Sequence, residues 1–306
     1  MKRALAILLT VVAVGYVGWL AWVDADAVSG VWRTMNPVAA VWSCVVLMAA
    51  MFPLAFAVFV NLRMLGAPVT LPEATHAYFA SQLGKYVPGK VWLFVIRARI
   101  YARSGVPNTS VAFSLAVEVL LGTAGALLAL LLVLPGLQPG LVKVHPALVV
   151  AGVAALLVAC SPPILNRVVA RLQHGRNVVP VGLTHVATVL ACYVVAWLGV
   201  GFAFLLLARS AIVLPWAFFP NAAAAFALGL VAGYFVFLAP AGIGIREFVL
   251  TSTLTPFLGP GPAAGLALVA RIWWTVAELA CILLAALWYD RRRTSTVKHD
   301  MGAARA

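Results

Sequence analysis

Ionised side chains inside apolar runs are the residues of this chain that could do chemistry, because each costs about 3 kcal/mol or more at a helix centre unless paired or wetted. The plainest case is Arg246-Glu247, which follows Ala239-Pro240-Ala241-Gly242-Ile243-Gly244 inside an apolar run from Asn221 to Leu258. Pro240, Gly242 and Gly244 break the helix there, and the backbone groups they release need protein or water as partners. A helix restarting near Ile245 would point its positive end into the gap, so Arg246 and that helix start could together hold a phosphate oxygen. The plainer alternative is that Arg246 and Glu247 only lock the break. Arg271 and Glu278 are seven apart and share a helix face, and Glu118 lies in another apolar run, so a buried ionic network lining a cavity is expected from these residues. Glu118 or Glu278 could instead carry a proton. A second break, Gly84-Lys85-Tyr86-Val87-Pro88-Gly89-Lys90, precedes Arg97. Lys85, Lys90 and Arg97 are expected to attract lipid phosphates at the cytoplasmic interface, although basic anchoring alone accounts equally well for either lysine.

Other chemistries fit poorly. Gly84 to Lys90 spells GxxxxGK, but Val91 stands where a phosphate-binding loop needs Ser or Thr for magnesium, no strand precedes it, and Pro88 stiffens it. ATP binding is therefore not expected. Nor is an enzyme: HExxH, GxSxG and Asp-rich metal motifs are all missing. His76 could sense protonation near the interface, and His185 falls in the fifth span. His145, His174 and His299 fall in loops or the tail, and with no second ligand at helical spacing no metal or cofactor is expected. Cys44, Cys160, Cys192 and Cys281 are scattered singly through apolar runs and read as small hydrophobes.

The elements that must position these groups are transmembrane helices. The 306 residues are 64% hydrophobic and only 9% charged, which excludes a soluble globular domain. Apolar runs near 20 residues exclude a β-barrel. The expected class is an all-α polytopic membrane protein, a single domain with spans at about 4–23, 37–61, 108–134, 146–162, 181–208 and 262–289. Residues 71–103 and 221–258 form two broken, re-entrant segments between them. Ala25-Asp26-Ala27 resembles a signal-peptidase site, but the 20-residue run before it is longer than a signal peptide's apolar core. Asn36-Pro37 and Asn108 are expected to cap the second and third spans. Trp19, Trp22, Trp32, Trp42, Trp216 and Trp288 near span ends read as interface anchors. Gly199, Gly201, Gly229 and Gly233 would allow close helix packing.

The net charge of +13 is spread between spans, which argues against nucleic acid and for anionic lipid head groups as partners. On this map 16 of the 21 Lys and Arg fall on one side, three on the other and two at depth. The positive-inside rule then places both termini in the cytoplasm of a multi-pass cell-membrane protein. Parity follows: each broken segment must enter and return on one face, and the two approach from opposite faces. Each lies between two full spans, so the chain reads as an inverted repeat, the sequence pointer to a transporter's midplane site. Tyr78-Phe79 before Pro88-Gly89 and Arg97 is echoed, weakly, by Tyr234-Phe235 before Pro240 and Arg246.

The stretches LGKYVPGKVW at Leu83 to Trp92 and APAGIGIRE at Ala239 to Glu247 resemble the two signatures of the lysylphosphatidylglycerol synthase transmembrane-region family, also called flippase-like. The similarity covers about Leu5 to Tyr289. What it implies is a lipid-translocation fold, moving or binding an anionic phospholipid or a prenyl-phosphate-linked lipid in a groove between the repeats. No stretch here reads as a soluble aminoacyl-transfer domain, so lysyl transfer is not expected. The alternative is a non-transporting partner that presents lipid to, or regulates, a cell-envelope glycosyltransferase or lipid-modifying enzyme.

Overall fold

The computed structural model describes residues 25–86, 91–137, 146–172, 180–235 and 245–303. The expected first span, 4–23, and the break residues Pro88, Gly89, Lys90, Pro240, Gly242 and Gly244 lie outside them. Within the described residues the chain is helical and without strands: α1 (Ala25–Thr34), α2 (Pro37–Met64), α3 (Leu71–Gln82), α4 (Val91–Tyr101), α5 (Asn108–Val133), α6 (Pro146–Ala159), α7 (Pro162–Leu172), α8 (Leu183–Ala211), α9 (Phe219–Phe235), α10 (Ile245–Leu258) and α11 (Pro260–Ala303). Five stretches are long and apolar enough to cross a membrane, or six if α6 and α7 count as one bent span. The protein is an all-α, polytopic membrane protein.

Local sequence explains the helix starts. Asn36 caps α2, its side chain accepting from the backbone N–H groups of Val38 and Ala39, with Pro37 at the first helical position. Asn108 does not cap α5: Pro107 takes that position without a side-chain bond, and Asn108 is already helical. Thr70 caps α3, a signal the sequence reading passed over.

Three other boundaries differ from expectation. The run 146–162 is not one straight span, since α6 ends at Ala159 and α7 leaves it at 42°. Pro162 and Pro163 permit this, because prolines are tolerated in a first helical turn and not in a helix interior. Asn221 does not open the second broken segment. It is fully buried inside α9, and the stretch Trp216–Gly233 is by itself long enough to cross a bilayer. The last helix continues past Tyr289 to Ala303.

The helix contacts repeat. With α2 matched to α8, α3 to α9, α4 to α10 and α5 to α11, every packed pair in one half has a counterpart: α2 on α3 as α8 on α9, α3 on α4 as α9 on α10, α4 on α5 as α10 on α11. The cross-half contacts obey the same exchange, α5 on α8 matching α11 on α2 and α5 on α9 matching α11 on α3. At the centre α2 and α8 run antiparallel. The Asn36 amide donates to the Ser210 carbonyl at 2.7 Å, and farther along Gly199 meets Ala50 so closely that a Cβ on the glycine would lie 2.9 Å from the alanine's. An antiparallel pair exchanged by the repeat makes the two halves inverted relative to one another.

Each broken segment is a helical hairpin. In the first, Glu73 of α3 accepts from Ser104 just past α4, Ser81 faces Arg97, and Gly84 lies against the backbone of Trp92 and Leu93. In the second, Phe218 packs edge-on against Phe257 at 5.3 Å, and Gly229 and Gly233 of α9 lie against Arg246 of α10. The base of the first hairpin sits beside the C-terminal part of α11, where His76 stacks on Tyr289 at 5.2 Å. The second hairpin's base adjoins the opposite end, because α10 leads through Gly259 into the start of α11. Lys85 and Tyr86 of the first hairpin and Glu247 of the second reach one α11 face, between Arg271 and Glu278.

Candidate functional site

The face of α11 carries Arg271, Trp274, Thr275 and Glu278 at spacings of three and four, so all four project to one side. Measured along the helix, Glu278 is eleven residues, about 16 Å, from Tyr289, which places it near the middle of the apolar stretch. Burial follows: Glu278 is 4% and Arg271 6% exposed.

From the first hairpin, Lys85 forms an ion pair with Glu278, and the Tyr86 hydroxyl lies 3.0 Å from the same carboxylate and 3.2 Å from the Thr275 hydroxyl. The Trp274 indole N–H donates to Glu278 at 2.8 Å, so this buried carboxylate is held by three side chains. From the second hairpin, Glu247 pairs with Arg271 at 3.5 Å, and the Arg246 guanidinium lies over the Trp274 ring, 4.8 Å from its centroid. Lys85 also approaches that ring, at 5.9 Å. Trp274, stacked on Phe226 at 6.0 Å, therefore touches a cation from each hairpin. Such contacts strengthen when water is excluded, reaching about 2 kcal/mol.

A partly open cavity, about 230 Å³ including its mouth, is lined by Arg246, Glu247 and Arg271 together with Phe226, Leu250, Ala267, Ala270 and Trp274. Its wall is apolar apart from two guanidinium groups and one carboxylate. A phosphate oxygen entering it would meet charge-assisted donors in surroundings of low dielectric, where such bonds are strong.

Arg97 and Glu118 are placed elsewhere. The sequence reading expected Arg97 at the cytoplasmic interface, but it is fully buried, its guanidinium paired with Glu118 of α5, bonded to Ser81 Oγ at 3.1 and 3.2 Å and 5.5 Å from the Tyr78 ring. Burial of so large a cation requires a partner, and Glu118 supplies it. The single network expected around Glu118, Arg271 and Glu278 is thus two: one inside the first half and one where the hairpin tips meet. Lys85 is likewise turned inward rather than toward the interface.

Trp274, Tyr86, Thr275 and Ser81 were not singled out from sequence. Trp274 could have been, since it lies three residues after Arg271 and four before Glu278 on the face those ions define. Nothing local marks Ser81. Outside the site, His76 has its pKa lowered by burial, with Asp290 opposing and Arg103 adding to the shift. Compared with protein-family models and with curated proteins, the sequence finds no match.

Proposed function

We propose that this protein is a lipid transporter of the flippase-like, lysylphosphatidylglycerol synthase transmembrane-region type, in which an anionic head group passes between the two hairpin tips while its chains stay in the bilayer. The observation that carries the reading is the convergence of two oppositely directed hairpins on one buried ionic face of α11. Broken helices meeting at mid-membrane between inverted repeats form the usual site architecture of secondary transporters. In this reading the hairpins are re-entrant, both termini are cytoplasmic as the Lys and Arg distribution requires, and Arg246 with the start of α10 contacts phosphate. Lys85, paired to Glu278, closes the site from the first hairpin's side.

The mechanism is exchange of partners. A head-group phosphate arriving at Arg246 competes with the Trp274 ring for the guanidinium and with Glu247 for Arg271. Each displaced contact loosens one hairpin from α11, so occupancy and opening are linked. No nucleotide site is needed for such exchange, which equilibrates lipid or follows a gradient.

The test is transfer of fluorescent phosphatidylglycerol in liposomes containing the purified protein. Transfer above that of empty vesicles, reduced about tenfold or more by Arg246→Ala, is expected. Rates equal to those of empty vesicles across several head groups, prenyl phosphates included, would overturn the transport reading and leave a lipid-presenting partner of a cell-envelope enzyme in its place.

A further inference from the structure

We propose that α7 is a docking surface for anionic phospholipids of the adjoining leaflet, with phosphates on Arg167 and Arg171 and acyl chains along Ile164 and Val168. The helix belongs to the connector between the two repeats and is separate from the cavity beside α11.

Length sets its depth. The 14 residues of α6 rise about 21 Å, short of the roughly 30 Å hydrocarbon layer, so the first turn of α7 has to complete the crossing. Arg167 is then the first charge to emerge, and Arg171 follows one turn later. Both guanidinium groups therefore fall at head-group level.

The faces of α7 are divided to match. Leu165 and Val169 are buried in the core, and Asn166 fixes the helix to the entry of α8, its side chain accepting from the Val181 amide at 2.7 Å and donating to the Val181 carbonyl at 3.1 Å. Next to the buried face come Ile164 and Val168, each 37% exposed, and beyond them Arg167 and Arg171, both exposed. Members of each pair are four residues apart and so line up along the helix surface. Core, apolar and basic sectors in that order are what a helix at a bilayer surface turns toward protein, acyl chain and phosphate.

Charge identifies the occupant. All eight Asp and Glu lie outside residues 119–246, so the connector and its neighbours in sequence hold no acid to pair with Arg167 or Arg171. Among the described residues neither arginine takes part in an ion pair. Exposed arginines at head-group level draw anionic lipid, whereas a zwitterionic lipid brings no net charge to them. The exposed Ile164 and Val168 beside them suit acyl chains and not a free phosphate in water.

The experiment places a photo-crosslinker on the apolar sector, Val168→p-benzoylphenylalanine in the full chain, with mass spectrometry of the lipid adducts. In phosphatidylcholine vesicles containing about 30% phosphatidylglycerol, the anionic lipid should be about two- to threefold over-represented among the adducts relative to the bilayer. That excess should vanish in Arg167→Gln/Arg171→Gln and persist in Arg167→Lys/Arg171→Lys. Arg246→Ala should leave it unchanged, which separates this surface from the cavity. Adducts in the bilayer's own proportions would overturn the proposal whether or not the double glutamine variant folds, and so would an excess that survives that variant. Absence of lipid adducts would place this face of α7 away from the bilayer and overturn it as well.

Discussion

The two hairpins share one plan and differ in how they are closed. In the first, the ion pair has its cation on α4 and its anion on α5, Arg97 to Glu118; in the equivalent helices of the second, the anion is on α10 and the cation on α11, Glu247 to Arg271. The first pair is buttressed by Ser81 and Tyr78, and the hairpin around it is drawn together by Gly84, where a Cβ would come within 2.4 Å of the Leu93 amide nitrogen. The second pair lines a cavity, and the glycine that lets its arms approach, Gly233, faces among the described residues the flexible stem of Arg246, whose Cγ would lie 3.3 Å from an added Cβ. Topology thus repeats while chemistry does not. One half has spent its buried charges on rigidity and the other presents them to a space.

The largest expected effect tests that difference at the ion pairs. Glu118→Ala leaves the fully buried Arg97 without its counter-charge and should cost about 3–5 kcal/mol, seen as a large fall in the detergent melting temperature. Glu247→Ala should cost less, because the cation it leaves, Arg271, borders a cavity whereas Arg97 is fully enclosed; equal losses would erase the distinction between the two cations. Next come the glycines. Gly84→Ala drives a methyl into backbone and should cost about 1–3 kcal/mol. Gly233→Ala, which among the described residues meets a movable side chain, should be neutral or gain up to about 1 kcal/mol from helix propensity, and a loss as large as at Gly84 would show that the second hairpin is as tightly closed as the first.

The smallest effect concerns the base of the first hairpin. Burial lowers the His76 pKa, so below the ordinary histidine value of about 6.5 the folded protein binds fewer protons than the unfolded chain, and stability falls as pH drops through that window. His76→Phe can keep the stacking on Tyr289 and should flatten the decline in melting temperature between about pH 7 and pH 5. An unchanged slope would show that His76 titrates no differently in the folded and unfolded chains.

Much of the architecture was legible before any coordinates, because the bilayer imposes it locally. Apolar runs of span length, Asn36-Pro37 at a helix start, and Pro and Gly beside charges can each be read within a short window, and they located the helices and both hairpins. Where local signals were weaker the bounds shifted: the second broken segment, expected from Asn221, opens at Phe219 with α9, and Pro162, expected to end the fourth span, opens α7. That Glu118, Glu247, Arg271 and Glu278 needed partners also followed from sequence, since ions at depth are costly wherever they occur, whereas Lys85 and Arg97 were expected at the cytoplasmic interface and their pairing was not foreseen.

Which partner each one takes is a different kind of question. Lys85 could have met Glu118 as readily as Glu278 by charge alone; antiparallel passage of α3 along α11 decides it, together with the Tyr86 and Trp274 donors already gathered on Glu278. Composition and periodicity therefore determined that this chain would cross a membrane, break twice and bury a set of charges. Only the tertiary structure divided those charges into a pair within the first half and a cavity-lining cluster, because Coulomb attraction depends on the distance between side chains and is indifferent to their separation along the chain.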